Sequence, residues 1–365
     1  MDSKPVVFEG WGIEIDVAAC SACKWIFAFP KDQSPQRCPH CFQEGLEKKV
    51  GDPAGMPNMR PPEMVVPFQI SGPSLAKGVE NFASDIWFAP DDLTPANLQK
   101  RLQRFYLPSW LVDVQVEADW QAEAGFNYEV VSHQETYDEN RGGWSTREVK
   151  EDRIRWEPRQ GRYHRAIHNI PAPALEGRWR VLDQLGDCAP GATQPYHPGH
   201  LKTGGVRLPD RQPEDAWTSA LPRIQAQAAE ECRRACGADH IRSFIWKPTF
   251  TSQNWTLQLF PVLSTYYLDD ERCPQPVWIN GVSGKVVGQR RASVKRGKQA
   301  ALGLLGAGVV SFIFSLLLGA ASFVVPVSLA AATFFLAVAL ILGLTAIVPI
   351  ALVRWADRDQ SAFDT

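Results

Sequence analysis

The chain has 365 residues, eight cysteines and a formal net charge of −2. That length accommodates two or more compact units with buried cores, and the near-neutral balance excludes a global attraction to nucleic acid or to an acidic surface. Any such attraction has to be local.

The first residues, MDSKPVVFEGWGIEID, carry no apolar h-region and no small-residue cleavage site, so a signal peptide is not expected. Two C-x2-C pairs follow, Cys20-Ser21-Ala22-Cys23 and Cys38-Pro39-His40-Cys41. Each pair can set two thiolates on one side of a tight knuckle, and the residues between them can form a hairpin that brings both knuckles around one tetrahedral ion. The spacing predicts a zinc ribbon over residues 1–50, with Cys20, Cys23, Cys38 and Cys41 as ligands of one structural Zn2+. Four thiolates close the coordination sphere, which suits structure and not catalysis. His40 lies inside the second knuckle, but Cys41 has the better spacing. These ligands require reduced thiols, and eight cysteines in an unsecreted chain argue against a disulfide framework, so a cytosolic setting is expected.

Trp25, Phe27 and Phe29 alternate in the predicted hairpin, where they serve either the ribbon's own small core or a contact surface. Lys24, Lys31, Arg37, Lys48 and Lys49 face Asp32, Glu44 and Glu47, an excess too slight to predict nucleic-acid binding.

Residues 51–62, GDPAGMPNMRPP, read as a linker from their Gly and Pro content. Residues 63–289 read as an α+β domain with antiparallel sheets. PEMVVPFQIS has strand character, and Leu75, Val79, Phe82 and Trp87 recur at helical spacing. FYLPSWLVDVQVEADW puts Val112, Val114, Val116, Ala118 and Trp120 on one face of a strand. Further strands are expected over 125–134, 148–157 and 162–170, separated by polar turns such as DENRGG. Residues 186–213 are dense in Gly, Pro and His and predict an irregular crossing or exposed loop. A helix is expected over 213–237, with Trp217, Leu221, Ile224, Ala228 and Cys232 apolar and Pro222 predicting a kink or a later start. Strands resume through FIWKPTF, NWTLQLFPVLSTYYL and PVWINGVSGKVVGQ.

Within this domain Cys232 and Cys236 are one helical turn apart and read as buried thiols, while Cys188 and Cys273 are isolated. Asn280-Gly-Val-Ser-Gly-Lys285 lacks the glycine spacing and the Ser/Thr of a phosphate loop and predicts a hairpin turn. His133, His164, His168, His197, His200 and His240 are scattered without ligand spacing. No nucleophile elbow, metalloprotease or dinucleotide motif is present, so no catalytic residue is assigned and no enzymatic activity is expected.

From position 299 to 353 no residue is charged, a run that holds two spans of roughly 20 residues and a short turn. Pro326 marks the break, giving spans over 300–322 and 327–353. Arg290, Arg291, Lys295, Arg296 and Lys298 form a basic collar (290–298) before the first span, and Arg354 and Arg358 follow the second. The positive-inside rule then places both ends in the cytoplasm. Gly303, Ala307, Ser311, Ser315 and Gly319 form a stripe of small residues, expected to pack against Ala339 and Gly343 or to mediate self-association into a homo-oligomer. The spans hold no ionisable residue, which reads as an anchor and not an ion pathway. The collar either touches anionic lipid headgroups or only sets topology. Residues 354–365 form a cytoplasmic tail.

The two knuckles, PEMVVPFQIS, WFAPDDL, YLPSWLVD, the helix start at 213–217, LQLFPVLSTYYL and NGVSGKVVGQ occur in an order that resembles a widespread bacterial family of zinc-ribbon membrane proteins, sometimes labelled helicase-like or primosomal. The helicase label has no Walker motif to rest on here. Relatives usually carry glycine after the second cysteine of each knuckle, where this chain has Lys24 and Phe42. Some accompany phage-shock-type and SPFH-type membrane-stress proteins. The resemblance implies a non-enzymatic scaffold at the bacterial inner membrane that recruits cytosolic protein partners. The alternatives are a membrane-tethered nucleic-acid binder using the ribbon, and an enzyme with an unrecognised site in the β-rich domain.

Overall fold

The structure is a computed structural model that describes residues 10–31, 33–48, 60–84, 86–138, 143–176, 184–186, 192–321 and 328–360. Most of the expected linker, the DENRGG turn, Cys188 and Pro326 lie outside the described residues. In chain order the elements are β1 (Ile15–Cys20), β2 (Ile26–Pro30), β3 (Leu46–Lys48), β4 (Met64–Val65), α1 (Gly72–Ser84), α2 (Pro95–Lys100), β5 (Gln103–Asp138) and β6 (Gly143–Pro173). There follow β7 (Gln194–Pro195), a 3-10 helix (Pro198–Thr203), β8 (Gly205–Arg207), α3 (Pro213–Ala235), β9 (His240–Leu268), β10 (Pro274–Asn280) and β11 (Val286–Gly288). Three helices close the sequence: α4 (Val294–Ala321), α5 (Ser328–Thr345) and α6 (Ile347–Gln360).

The chain forms two compact units. One comprises the residues up to Leu107, 177–208 and those from Leu259 onward; the other is Pro108–Glu176 with Pro209–Gln258. The domain 63–289 expected from the sequence is thus shared between them, and β5 and β9 each run through the division.

In the first unit the strands follow the order β11-β10-β9-β5-β8-β2-β1-β3. The sheet is mixed where an antiparallel one was expected, because β5 and β8 run parallel at Phe105↔Gly205 and Tyr106↔Val206. β2 pairs antiparallel with β8 at Phe27↔Arg207 and Ala28↔Val206, so the cysteine-bearing hairpin continues the sheet. The segment expected to be irregular therefore supplies a central strand. Its glycines serve close packing: a Cβ on Gly205 would run into the Phe29 ring and one on Gly204 into the Arg104 carbonyl. Two cores flank this sheet. Trp11, Ile15, Val17, Ala28, Tyr106, Val206 and Leu259 form one, and α1 and α2 cover Leu263, Tyr267, Val277 and Ile279 in the other. α2 starts at a Thr94 cap, whose Oγ1 accepts from the Asn97 N–H at 3.2 Å, with Pro95 at the first helical position. The Asn280–Lys285 segment makes the expected hairpin turn. Asn280 N–H donates to Lys285 O at 2.9 Å, and Gly284 takes the left-handed φ of 75° that the turn requires.

In the second unit the separate strands expected over 125–170 are one continuous hairpin, β5 with β6, paired from Ser109↔Pro173 to Asp138↔Gly143. Pro108 stands where the β8 pairing of β5 has ended and the β6 pairing has not begun, so on that side its missing N–H falls between the two ladders. Trp110, Val112, Val114, Val116 and Ala118 are buried on one face, as the alternation predicted, against Ala216, Ala220, Ile224, Ala228 and Cys232 of α3. That helix begins at Pro213 and runs through Pro222 without a later start, and Ile224 two residues on is fully buried.

The two apolar segments form the long helices expected. α4, and a segment from Leu329 to Arg354 spanning α5 and the start of α6, are each long and apolar enough to cross a membrane. The second is not one uninterrupted helix. Pro349 can neither donate to the Thr345 carbonyl nor accommodate it, and the helix breaks at Ala346 between α5 and α6. The buried stripe of α4 also differs from the expected one: it runs Gly297, Ala301, Gly308, Ser311 and Ser315. Strict four-residue steps drift about 40° per step around a helix of 3.6 residues per turn. Gly303 and Ala307 accordingly turn outward, while Ser311 and Ser315 face α5. Their hydroxyls donate across to Phe335 O at 2.8 Å and Ala332 O at 2.7 Å, and Gly308 lets the Ala339 and Gly343 backbones approach.

Candidate metal centre

Cys20 ends β1 and Cys38 follows the loop after β2, so the two knuckles sit at one end of the three-stranded hairpin assembly. They share one backbone pattern. Lys24 N–H donates to Cys20 O at 2.9 Å and Cys20 N–H to Trp25 O at 2.9 Å. Phe42 N–H donates to Cys38 O at 3.0 Å and Cys38 N–H to Gln43 O at 3.1 Å. Closing each turn requires a left-handed residue after the second cysteine, and Lys24 (φ 62°) and Phe42 (φ 58°) both adopt it. Glycine would do so without the roughly 1–2 kcal/mol that a Cβ costs there.

The four sulfurs converge. Cys20, Cys23, Cys38 and Cys41 Sγ all lie within 4.8 Å of one another, with Cys20–Cys41 at 3.6 Å and Cys23–Cys38 at 3.7 Å. A tetrahedral ion with 2.3 Å metal–sulfur bonds needs sulfur separations of about 3.8 Å, so these four cysteines can hold a metal ion. Backbone donors are already in place for the thiolate form: Trp25 N–H toward Cys23, His40 and Cys41 N–H toward Cys38, and Gln43 N–H toward Cys41. Without a cation the site cannot carry four charges. The hydrogen bond with Cys38 holds Cys23 below the usual thiol range, and that same bond, with burial, pushes Cys38 well above it. Burial pushes Cys41 up to about 11. One thiolate is favoured at the expense of its neighbours until a cation balances the rest.

The surroundings of the knuckles are buried, and the sequence did not foretell how. His40 lies beside the four sulfurs, with its side chain hydrogen-bonded to Cys23, and its ring stacks on Trp25 with centroids 3.8 Å apart and planes 15° from parallel. The Arg207 guanidinium covers Trp25 at 4.9 Å, and Trp278 of β10 closes the group 6.4 Å from Trp25. Phe27 and Phe29 are core residues, 0% and 3% exposed. Phe42 is fully buried and stacks on Tyr266 of β9 at 4.7 Å, and Arg101 covers Tyr266 at 4.7 Å. On the exposed side Lys31 pairs with Glu14, Arg37 with Glu44 and Lys48 with Asp16. Each pairing draws a basic side chain of the ribbon toward an acid.

From Tyr266 a chain of polar contacts leads to the start of α4. Arg101 donates to Asp92 at 2.9 Å, and Asp92 also accepts the Leu268 N–H at 2.7 Å. Two residues on, Asp270 accepts from Ser293 Oγ at 2.7 Å and from Lys295 N–H at 2.9 Å, and Ser293 Oγ caps Arg296 N–H at 3.0 Å. A carboxylate and a serine thus satisfy the first turn of α4, where the helix dipole is positive. The basic collar expected over 290–298 is partly tied to distant acids, Arg296 with Asp91 and Arg291 with Asp269. A cleft of about 270 Å³ here is lined by Asp91, Asp92, Asp269 and Asp270, whose oxygens are engaged in these contacts and by Gln275.

Of the remaining cysteines, Cys232 is the buried thiol expected, whereas Cys236 is only half-buried. Cys232 is buried in the core under α3, where burial pushes its thiol up to about 11, and Cys236 packs at its margin. Cys273 is exposed. No family model matches the chain, and no curated protein or solved structure matches it.

Proposed function

We propose that the chain is a non-enzymatic, membrane-anchored adaptor in which one structural zinc ion, held by Cys20, Cys23, Cys38 and Cys41, stiffens a ribbon that presents cytosolic partners to the inner membrane. The observation that carries this reading is the closed set of four sulfurs in the same compact unit as two helices of membrane-spanning length. A set with no further donor has no open position for a substrate, which supports a structural ion. Zinc fits thiolates and tetrahedral geometry together.

The basic residues before α4 and after the second span support a topology with both ends in the cytoplasm, where thiols stay reduced. The resemblance to the zinc-ribbon membrane family points to partners of the phage-shock or SPFH type at a bacterial inner membrane. The paired basic residues of the ribbon lend less support to nucleic acid as the ligand.

The test uses full-length protein extracted from membranes in mild detergent. Elemental analysis should find one zinc per chain, lost in Cys20→Ser and in Cys38→Ser. Affinity capture should recover a cytosolic protein whose yield falls when the exposed ribbon residues Lys24 and Glu47 are reversed in charge together. An unchanged partner set in that variant overturns docking through the ribbon, and zinc-free wild-type protein overturns the metal assignment.

A further inference from the structure

Trp87 is 76% exposed, the highest value among the large apolar side chains of the described residues, and exceeds even those of the two apolar helices. It stands in a turn between α1 and α2 whose neighbours pack inward. Ile86 and Ala89 lie against the core of Val79, Phe82 and Leu98, and Pro90 is buried. Phe88, next in sequence, takes a left-handed φ of 57°, which an aromatic residue adopts only when its surroundings hold it there. The backbone is bent against preference, and the result is an indole held out of the core.

The turn is fixed to the start of α4. Phe88 O accepts the Ser293 N–H at 2.7 Å, and Asp91 on the same segment pairs with Arg296. Val294, the first residue of α4, is itself 43% exposed, and Lys295, Arg296 and Lys298 are exposed around it. From Ser293 to Ala300, the expected start of the first span, is seven residues, or about 10 Å of helix. The headgroup layer beside a hydrocarbon core is about 5–8 Å thick, so Ser293 sits a few ångströms outside it and the length of the indole side chain is what would carry the ring into the layer. A tryptophan attached at this level, among cations and directly before a span, has the chemistry of the interfacial aromatic belt: an apolar ring with one polar N–H.

We propose that the Ile86–Phe88 turn is a second membrane contact of this protein, with Trp87 seated in the headgroup layer of the leaflet that α4 enters. This rests on the reading of α4 as a membrane span. The occupant is lipid, because the turn is hydrogen-bonded to the residue that precedes α4, and the exposed Lys295 and Lys298 in the first turns of that helix suit anionic headgroups. Trp87 then works as a strut. With the Ser293 bond it fixes the sheet against the membrane surface, which the helical anchor alone would leave free to tilt.

The test places the photocrosslinking residue p-benzoylphenylalanine at Trp87, and in a second variant at Leu305 on the exposed face of α4, in full-length protein in nanodiscs of phosphatidylethanolamine and phosphatidylglycerol. Neither site is buried, so folding is not at stake. Lipid adducts by mass spectrometry at both positions are the expected result. Adducts at Leu305 with none at Trp87 overturn the contact and leave the span intact. No adduct at either position overturns the span and the contact together. Crosslinking of Trp87 to a second copy of the chain identifies a protein interface and overturns lipid as the occupant.

Discussion

Phe42 is stacked on Tyr266, with ring centroids 4.7 Å apart and planes 29° from parallel. The residue that follows the last sulfur is thereby seated in the larger sheet, and it explains why a bulky side chain occupies a backbone position that favours glycine. Lys24 occupies the matching position of the first knuckle and is exposed. The same substitution should therefore have opposite effects at the two sites. Phe42→Gly loses a fully buried ring and should destabilise by about 2–4 kcal/mol even after strain is relieved. Lys24→Gly only relieves strain, less the added freedom of the unfolded chain, and should stabilise by about 0.5–1 kcal/mol. Thermal unfolding of the metal-loaded proteins measures both.

Asp92 links Tyr266's neighbour Arg101 to β9. Burial alone would raise its carboxyl, but the Arg101 hydrogen bonds, the Leu268 N–H and the charges of Arg101 and Arg272 hold it below the usual carboxylate range. A depressed folded pKa contributes stability that is fully present above the unfolded value of about 3.9 and is lost as pH falls through the folded value. Asp92→Asn should therefore cost about 2–3 kcal/mol at pH 7. Its difference from wild type should shrink below about pH 4. Denaturant unfolding between pH 3 and pH 7 reads the convergence.

The helix pair separates two kinds of glycine. A Cβ on Gly308 would lie 3.4 Å from Ala339 O, whereas Gly303 and Gly306 have nothing within 4 Å. Gly308→Leu should push α4 and α5 apart and break the Ser311 and Ser315 bonds, each contributing about 0.6 kcal/mol. Gly303→Leu should leave the pair intact. Disulfide trapping between cysteines placed at positions 319 and 332, where a Cβ on Gly319 would lie 4.0 Å from that of Ala332, reports the separation directly.

Thiol reactivity should sort by burial. The raised pKa of Cys232 leaves almost no thiolate at pH 8, and its packing under α3 denies access. Cys273 is exposed and should alkylate before Cys232 in the native protein. Mass mapping after brief iodoacetamide treatment checks the order; early modification of Cys232 would show that the α3 core opens readily.

Local patterns were readable where the chemistry is local. The C-x2-C spacing brought together four sulfurs that do converge, the alternation from Val112 to Ala118 found the buried face of β5, and the uncharged run found the helix pair. Long-range pairing was not readable. Gly204 and Gly205 look like loop residues in sequence, because the ring and carbonyl they make room for are supplied by Phe29 and Arg104. The acids that cap α4 and engage its collar, Asp270 and Asp91, precede their partners Ser293 and Arg296 by 23 and 205 residues, so these ties are not legible in the sequence, where the collar reads as a lipid contact or a topology signal. Four-residue counting misplaced the upper part of the small-residue stripe, since small steps of angle accumulate over two turns.

The pairing of β2 with β8 bears on how this protein can be dissected. A truncation that removes the first fifty residues, natural on a linear domain map, would cut through a sheet. It would strip the neighbour from Gly205–Arg207, all three of them buried, and uncover Phe105 and Trp278. An open strand edge beside bare aromatic rings invites aggregation. Lost partner binding in such a deletion would then report a damaged scaffold and say little about the ribbon. Point changes on the outer surface of the knuckles keep the sheet whole and let the two effects be told apart.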